Sequence, residues 1–316
     1  MLKKILLSLM LVPVVAFAWQ PERPVIVIVG FAPGSGNEVA FRQAASIVQK
    51  NNPKVSFVVE NKPGADAVIS QNHMMTVAPD GYTISVPSHM SLFVTNDIWQ
   101  KDIKKFQYNS FINVVTLGKS PLAVVANVKS VISTPHEFTV LLNMGYRPVN
   151  VAVGGGAHQM AYEYIMYKAN GNRDQVKMIR YPGPLQAVTA VAGEQTEFGI
   201  MPIAIARPLI DAGKVKLVGL AGDSVNGMPT MNKSVPGLRV NAGWIVSLPP
   251  NTPQDIVDWY QREFSRAIKS QEYQSWAKDN YIFTVDAELT PAGTLRYAEE
   301  LRRAFAPVIP HISRDQ

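Results

Sequence analysis

The sequence predicts an α/β protein of two lobes that face each other across a cleft. Three observations predict it. A β-branched run, Val25 to Val29, enters a Gly- and Pro-rich turn at Gly30–Gly36, and a helix-compatible segment opens at Asn37–Glu38. The same succession returns in mid-chain: a strand at Val149–Val153, the turn Gly154-Gly155-Gly156-Ala157-His158, and a helix from about His158 to Ala169. Strands alternate with helices elsewhere at the spacing of parallel βαβ units. Interruptions at Gly118-Lys119-Ser120-Pro121 and before Trp244 read as two crossings between lobes. These crossings set the boundaries at 19–118 with 243–316 for the first lobe and 119–242 for the second.

Residues 1–18 are expected to lie outside the fold. Lys3-Lys4, an apolar run from Ile5 to Val15 and the small-residue site Ala16-Phe17-Ala18 have the form of a secretory signal peptide cleaved before Trp19. The run is shorter than the roughly 20 residues that span a bilayer, and no later segment is apolar enough to do so. Removing Lys3 and Lys4 lowers the formal charge from +6 by two, to +4. That excess has no Lys/Arg block behind it, so nucleic acid is not an expected partner, while anionic small molecules suit it. The chain has no cysteine, which excludes disulfides and thiolate chemistry.

Taken in order, Val55–Val59 is the second strand. It leads through Glu60-Asn61-Lys62-Pro63-Gly64-Ala65 to a helix ending near Val77, and Tyr82–Pro87 is the third strand. Ser88-His89 comes directly after that strand end, where open α/β sheets place ligand contacts. Residues 97–111 show little period and read as an irregular connection. Phe111–Leu117 and Leu122–Ala126 read as consecutive strands. Thr134-Pro135-His136-Glu137 has the form of a capping box, and Thr252-Pro253 and Thr290-Pro291 repeat its first half. Val176–Arg180, Glu197–Met201, Val215–Ala221 and Trp244–Leu248 are further strands, and Gly213 ends the helix between the second and third of them. Gly222–Asn241 reads as a long loop, and amphipathic helices at 253–269, 271–279 and 291–306 finish the chain.

A catalytic constellation does not emerge. The turn Gly34-Ser35-Gly36 lacks the third glycine of a dinucleotide fingerprint and the lysine of a phosphate loop. His136-Glu137 has no histidine at position 140, so no zinc-protease motif forms. Neither a metal nor a cofactor is expected. His73, His136 and His311 suit solvated or capping roles, whereas His89 and His158 sit at strand-to-helix turns, where ligand contact and a local hydrogen bond are equally suitable. An exported serine hydrolase using Ser35 or Ser88 is the alternative from another class, although neither serine has the glycines of a nucleophile elbow. A module that holds a peptide in the cleft is a third.

Seven motifs in order carry a resemblance. They are Pro24 to Gly34 with Phe31-Ala32-Pro33-Gly34, Val59 to Ala65, Ala78-Pro79-Asp80-Gly81-Tyr82-Thr83, Gly154 to His158, Tyr181-Pro182-Gly183, Ala212-Gly213-Lys214-Val215 with Leu220-Ala221, and Trp244 with Thr252-Pro253. Together the chain resembles the periplasmic substrate-binding receptors of tripartite tricarboxylate transporters, the Bug receptors. The resemblance implies a type II periplasmic-binding-protein fold, two α/β lobes joined by crossing hinge strands around a central cleft. It implies a monomeric, non-enzymatic receptor that captures a small carboxylate and passes it to separate membrane subunits. Carried over by position, the ligand contacts fall at Phe31, Pro33, Ser35, Gly36 and Asn37, at Gly155, Gly156, Ala157 and His158, and at Ser88, His89 and Tyr181.

The chain departs from the family pattern at several of these points. Ser35 replaces a glycine, Glu38 an aspartate, Gly156 or Ala157 a serine, and Val246 a glycine. Receptors of this kind that take amino acids need an acid near the end of the strand Glu197–Met201, and Met201 stands there. The expected ligand is therefore an organic acid without an amino group, held partly against Met201 and Phe31. Glu38 is the acid that could reach inward instead.

Overall fold

The protein is described by a computed structural model covering residues 19–225 and 227–312. The expected signal peptide lies outside the described residues. The first half contains β1 (Val25–Val29), α1 (Gly36–Asn51), β2 (Phe57–Asn61), α2 (Val68–Met74) and β3 (Thr83–Ser85). A π-helical turn at Ser91–Thr95 runs into the short α3 (Asn96–Trp99), where the sequence suggests an irregular connection. Next come β4 (Ile112–Asn127), α4 (Pro135–Met144), β5 (Val149–Val153), α5 (Gly156–Lys168), β6 (Val176–Arg180), α6 (Pro184–Ala192), β7 (Phe198–Pro202), α7 (Ile203–Asp211) and β8 (Val215–Leu220). The chain returns through β9 (Asn241–Leu248) and ends with α8 (Gln254–Lys269), α9 (Gln271–Asp279) and α10 (Pro291–Phe305).

The strands pair in the order β2-β1-β3-β9-β4-β7-β5-β6, with β8 also on β4. β1 lies between β2 and β3, parallel to both, and β5 lies between β6 and β7 in the same way. Each half thus puts its first strand at the centre of a parallel trio, and the turns after those strands open at strand C-terminal ends. Val25, Val27 and Val29 on one face and Ile28 on the other are buried, as a β-branched strand covered on both faces should be.

β4 corrects the sequence reading. Residues 112–127 form one strand of 16 residues, not two strands separated at Gly118–Pro121. Its first part pairs antiparallel with β9, from Ile112 opposite Leu248 to Pro121 opposite Asn241, and its last part pairs with β7 and β8. Register shifts before Val115 and Gly118 bend the ladder. Lys119 also exchanges backbone hydrogen bonds with Phe283 at 2.9 and 2.8 Å. The crossing is thus a continuous strand.

The helix ends agree with the sequence signals, with one exception. Thr134 and Glu137 form the reciprocal capping box of α4, and the Thr290 hydroxyl accepts the Gly293 N–H at the start of α10. Thr252 does not cap α8, because its hydroxyl donates to the Pro249 carbonyl.

A buried polar cluster sits behind the crossing strands. Lys119 Nζ lies 2.5 Å from Glu288 Oε1 and 4.0 Å from the centre of the Tyr297 ring. His89, fully buried, stacks on Phe93, meets Tyr297 edge-on and shares a 3.1 Å hydrogen bond with Thr116. A Cβ on Gly243 of β9 would lie 2.1 Å from His89 Nδ1, and the packed imidazole has nowhere to go. Gly243→Ala is therefore expected to destabilise the fold by about 1–3 kcal/mol, read as a lower denaturation midpoint; an unchanged midpoint would show that this packing is slack.

Candidate functional site

A cavity of about 360 Å³ opens between the halves, a volume suited to a small ligand. Segments just past the C-terminal ends of parallel strands line it: Phe31 and Ala32 after β1, Pro63 to Asp66 after β2, Gly154 to Gly156 after β5, and Tyr181-Pro182 after β6. Thr95, Trp99, Gln100, Val153, Gln159 and Arg180 complete the lining. The Tyr181 N–H donates to the Val153 carbonyl at 2.8 Å, which fixes the β6 turn against the β5 turn. Gly154 must be glycine for the same reason, since a Cβ there would lie 2.3 Å from the Gly183 carbonyl carbon.

Arg180 and Asp66 are the only charged side chains of the lining among the described residues. Arg180, the last residue of β6, is exposed to the cavity side of the sheet end. With the Gln159 amide oriented so that its oxygen faces the donors, that oxygen accepts from Arg180 Nη2 at 2.7 Å and from Trp99 Nε1 at 3.2 Å. A guanidinium, an indole N–H and a carboxamide thus converge from α3, α5 and β6. Asp66 comes from the turn after β2. Burial pushes its carboxyl up, against hydrogen bonds from the Thr95 and Ser91 hydroxyls and the Gly156 N–H.

The sequence-derived contacts divide in two. Phe31, Gly155, Gly156 and Tyr181 line the cavity. The others do not. Pro33 is exposed on the far side of the turn, and the Ser35 hydroxyl is buried without a partner. Gly36 lies against the Trp244 ring, where a Cβ would come within 2.5 Å of Cζ2. Asn37 donates to the Val86 carbonyl at 2.9 Å and ties α1 to the end of β3. Ser88 bridges to Trp244, and His89 belongs to the buried hinge cluster. Ala157 and His158 are buried on the inner side of α5. Met201 corrects the sequence argument most directly. It is fully buried in the core under α6 and α7, because β7 lies between β4 and β5, and it does not line the cavity.

Glu38 does not reach inward either. Its carboxylate accepts from the Gly34 N–H at 3.1 Å, Asn61 Nδ2 at 3.2 Å and Arg42 Nε at 2.7 Å. Burial alone would raise its pKa, but these hydrogen bonds and the Arg42 charge outweigh it and hold the carboxyl below its usual range. Nor does the serine-hydrolase alternative find support. Among the described residues neither Ser35 nor Ser88 is hydrogen-bonded to a histidine.

Residues 40–300 match the family model described as the tripartite tricarboxylate transporter family receptor. The chain belongs to this receptor family. BugT of Bordetella pertussis is 24% identical over 79% of this chain and 78% of its own. Among solved structures, MatC of Rhodopseudomonas palustris with bound malate superposes with a TM-score of 0.81 at 21% identity, covering 92% of this chain and 100% of MatC. Rpa4515 of R. palustris, with adipate, gives 0.82 at 18% identity over 91% and 96% of the two chains. At such identities the likeness shows the fold, and it is the expected two-lobed periplasmic-binding-protein fold with crossing hinge strands. No helix among the described residues is long and apolar enough to cross a membrane.

Sequence reasoning missed Arg180, Asp66, Thr95, Trp99 and Gln159. Arg180 had a usable signal, because it ends a strand and directly precedes the marked turn at Tyr181. The others come from segments that only tertiary packing brings to the cleft.

His158 supports the site from behind. Its Nδ1 accepts the Gly154 N–H at 3.3 Å, so the ring proton sits on Nε2, and burial lowers its pKa from 6.5 to about 4. The folded state therefore binds fewer protons than the unfolded chain between these values. Its contribution to stability is complete above pH 6.5 and declines as pH falls toward about 4. The loss is on the order of 3 kcal/mol at most. His158→Gln retains an acceptor for Gly154 without the titration. Melting profiles of the two proteins should diverge below pH 6.5 and differ by a constant above it; parallel profiles down to pH 4 would exclude this coupling.

Proposed function

We propose that this chain is the extracytoplasmic receptor that captures a small organic acid between its lobes and delivers it to separate membrane subunits of a tripartite tricarboxylate-type transporter. The observation that carries this reading is the cavity itself: four parallel strands end on it, and Arg180, Gln159 and Trp99 converge at its wall. A carboxylate placed there meets the guanidinium of Arg180, whose Nη2 is steadied by the Gln159 oxygen. Solved structures of the same fold hold malate and adipate. The lobes are 19–118 with 243–316, and 119–242, moving about β4 and β9. The receptor acts as a monomer, without cofactor or catalysis.

The ligand lacks an amino group on this reading. Asp66 is the acid nearest to it, but that carboxyl already receives two hydroxyl donors and a backbone N–H. An ammonium brought beside it would have to displace the Thr95 hydroxyl from the carboxylate oxygen and would lose hydration in doing so.

The experiment is a thermal-shift screen of the mature protein against mono-, di- and tricarboxylates and amino acids, followed by calorimetry on the hits. Arg180→Gln should weaken the best acid by about 1.5–3 kcal/mol, the range for losing a charged hydrogen-bond partner. Small-angle scattering should report compaction at saturating acid, since contacts made only in the closed form shift the population toward it. Binding of aspartate or glutamate without binding of their deaminated analogues would refute the amino-free ligand. Export is tested separately: protein purified from the periplasm of the native host should begin at Trp19.

A further inference from the structure

The turn after β2 has a backbone that side-chain-bearing residues rarely adopt. Ala65, Asp66 and Ala67 have φ of +48°, +50° and +71°, three consecutive left-handed residues without a glycine. This turn delivers the Asp66 carboxylate across the cleft. Thr95 Oγ1 donates to Asp66 Oδ2 at 2.6 Å, and the Gly156 N–H, the first of α5, points at the same carboxylate. The approach is so close that a Cβ on Gly156 would lie 2.4 Å from Asp66 Oδ2 and 2.9 Å from Thr95 Oγ1. A carboxylate from the first half thus occupies the helix start of the second half.

The other glycine turn is filled in the same way, by Glu38 on the Gly34 N–H. Each of the two glycine turns therefore has an acid of the chain itself on one of its backbone donors, and at α5 that donor is the first N–H of the helix. The side chain of the lining that offers positive charge to a ligand carboxylate is Arg180. The lining among the described residues has one positive and one negative side chain.

We propose that Asp66 restricts this receptor to ligands with a single carboxylate. The ligand's carboxylate sits at Arg180, and its apolar body lies against Phe31, Trp99 and Tyr181. A second carboxylate at the far end of the molecule would meet Asp66 at close range. There it would face a like charge and find the α5 donor already taken, and like charges in a recess of reduced dielectric disfavour each other strongly. Diacids are the ligands this cavity excludes. This inference rests on the carboxylate-receptor reading above.

The test uses the mature protein at pH 7.5 and pairs of acids that differ only in the second carboxylate: butyrate and succinate, hexanoate and adipate, benzoate and terephthalate. Calorimetric affinities should favour the monoacid of the best-bound pair by at least tenfold. Asp66→Asn and Asp66→Gly, both compatible with a left-handed backbone, should reduce that ratio at least tenfold, chiefly by tightening the diacid. A wild-type protein that binds the diacid as tightly as its monoacid overturns the inference while leaving the receptor reading in place. So does a ratio that stays unchanged in a folded variant. If none of the six acids binds, the carboxylate reading itself falls, and this inference with it. The wild-type ratio alone decides the matter should neither variant fold.

Discussion

The pairing of β4 with β9 is the constraint on which the rest of the structure depends. These two antiparallel strands carry the chain out of the first half and back into it, and every other strand is attached to one of them or to a strand that is. β3, and through it β1 and β2, hangs on β9; β7 and β8, and through β7 also β5 and β6, hang on β4. The relative position of the two central βα turns is therefore set by the register of a single ladder. Trp244 makes the connection explicit. It pairs with Gly118 in that ladder, bridges to Ser88, and lays its ring against Gly36 at the start of α1. Motion between the halves must pass through this ladder, which carries buried polar groups: Lys119 paired with Glu288, and His89 held neutral by burial and by the nearby Lys119 charge. Buried groups of this kind are poorly tolerant of new partners, and that favours a hinge with few alternative registers.

Much of this fold was legible because local chemistry and tertiary role agree. β1 and β5 read as buried strands from their valines, and α4 and α10 from their threonine caps. The reading failed at β4 because Gly118-Lys119-Ser120-Pro121 carries every signal of a break. The structure answers each signal with a long-range contact that sequence cannot display. Gly118 sits at a register shift with φ +157°, its missing Cβ leaving room for Ile282. Lys119 is neutralised by Glu288, which lies 169 residues away, and its backbone is paired with Phe283. A local rule about turns was overruled by partners from the segment between α9 and α10.

The site was legible in location and much less so in identity. Strand ends and glycine turns marked where the cleft must be, and Phe31, Gly155, Gly156 and Tyr181 do line it. Which side chain faces in depends on the rotation of each element about its own axis. His158 turns inward beneath its own turn, and Met201 turns into a sheet covered on both faces. Asp66 was hidden for a different reason. With no glycine at 65–67, nothing local announces its left-handed backbone. Yet that conformation aims the carboxylate across the cleft.

The glycines of these turns bear on a wider point about reading anion sites from sequence. A glycine-rich turn before a helix suggests backbone N–H groups free to bind a ligand. Here the glycines serve close packing first. Gly154 admits the backbone at Gly183, Gly156 admits Asp66, and Gly36 admits the Trp244 ring. The helix starts keep their partial positive charge nonetheless, and a polar group in a recess must be satisfied. The chain places its own carboxylates at both turns, Asp66 on the first N–H of α5 and Glu38 on the Gly34 N–H just ahead of α1. Glycine therefore predicts where a helix start is approached closely, but the neighbouring acids decide whether the approaching anion is a ligand or the protein itself. The positive side chain that does line the cavity stands outside the glycine turns, at Arg180, the end of β6.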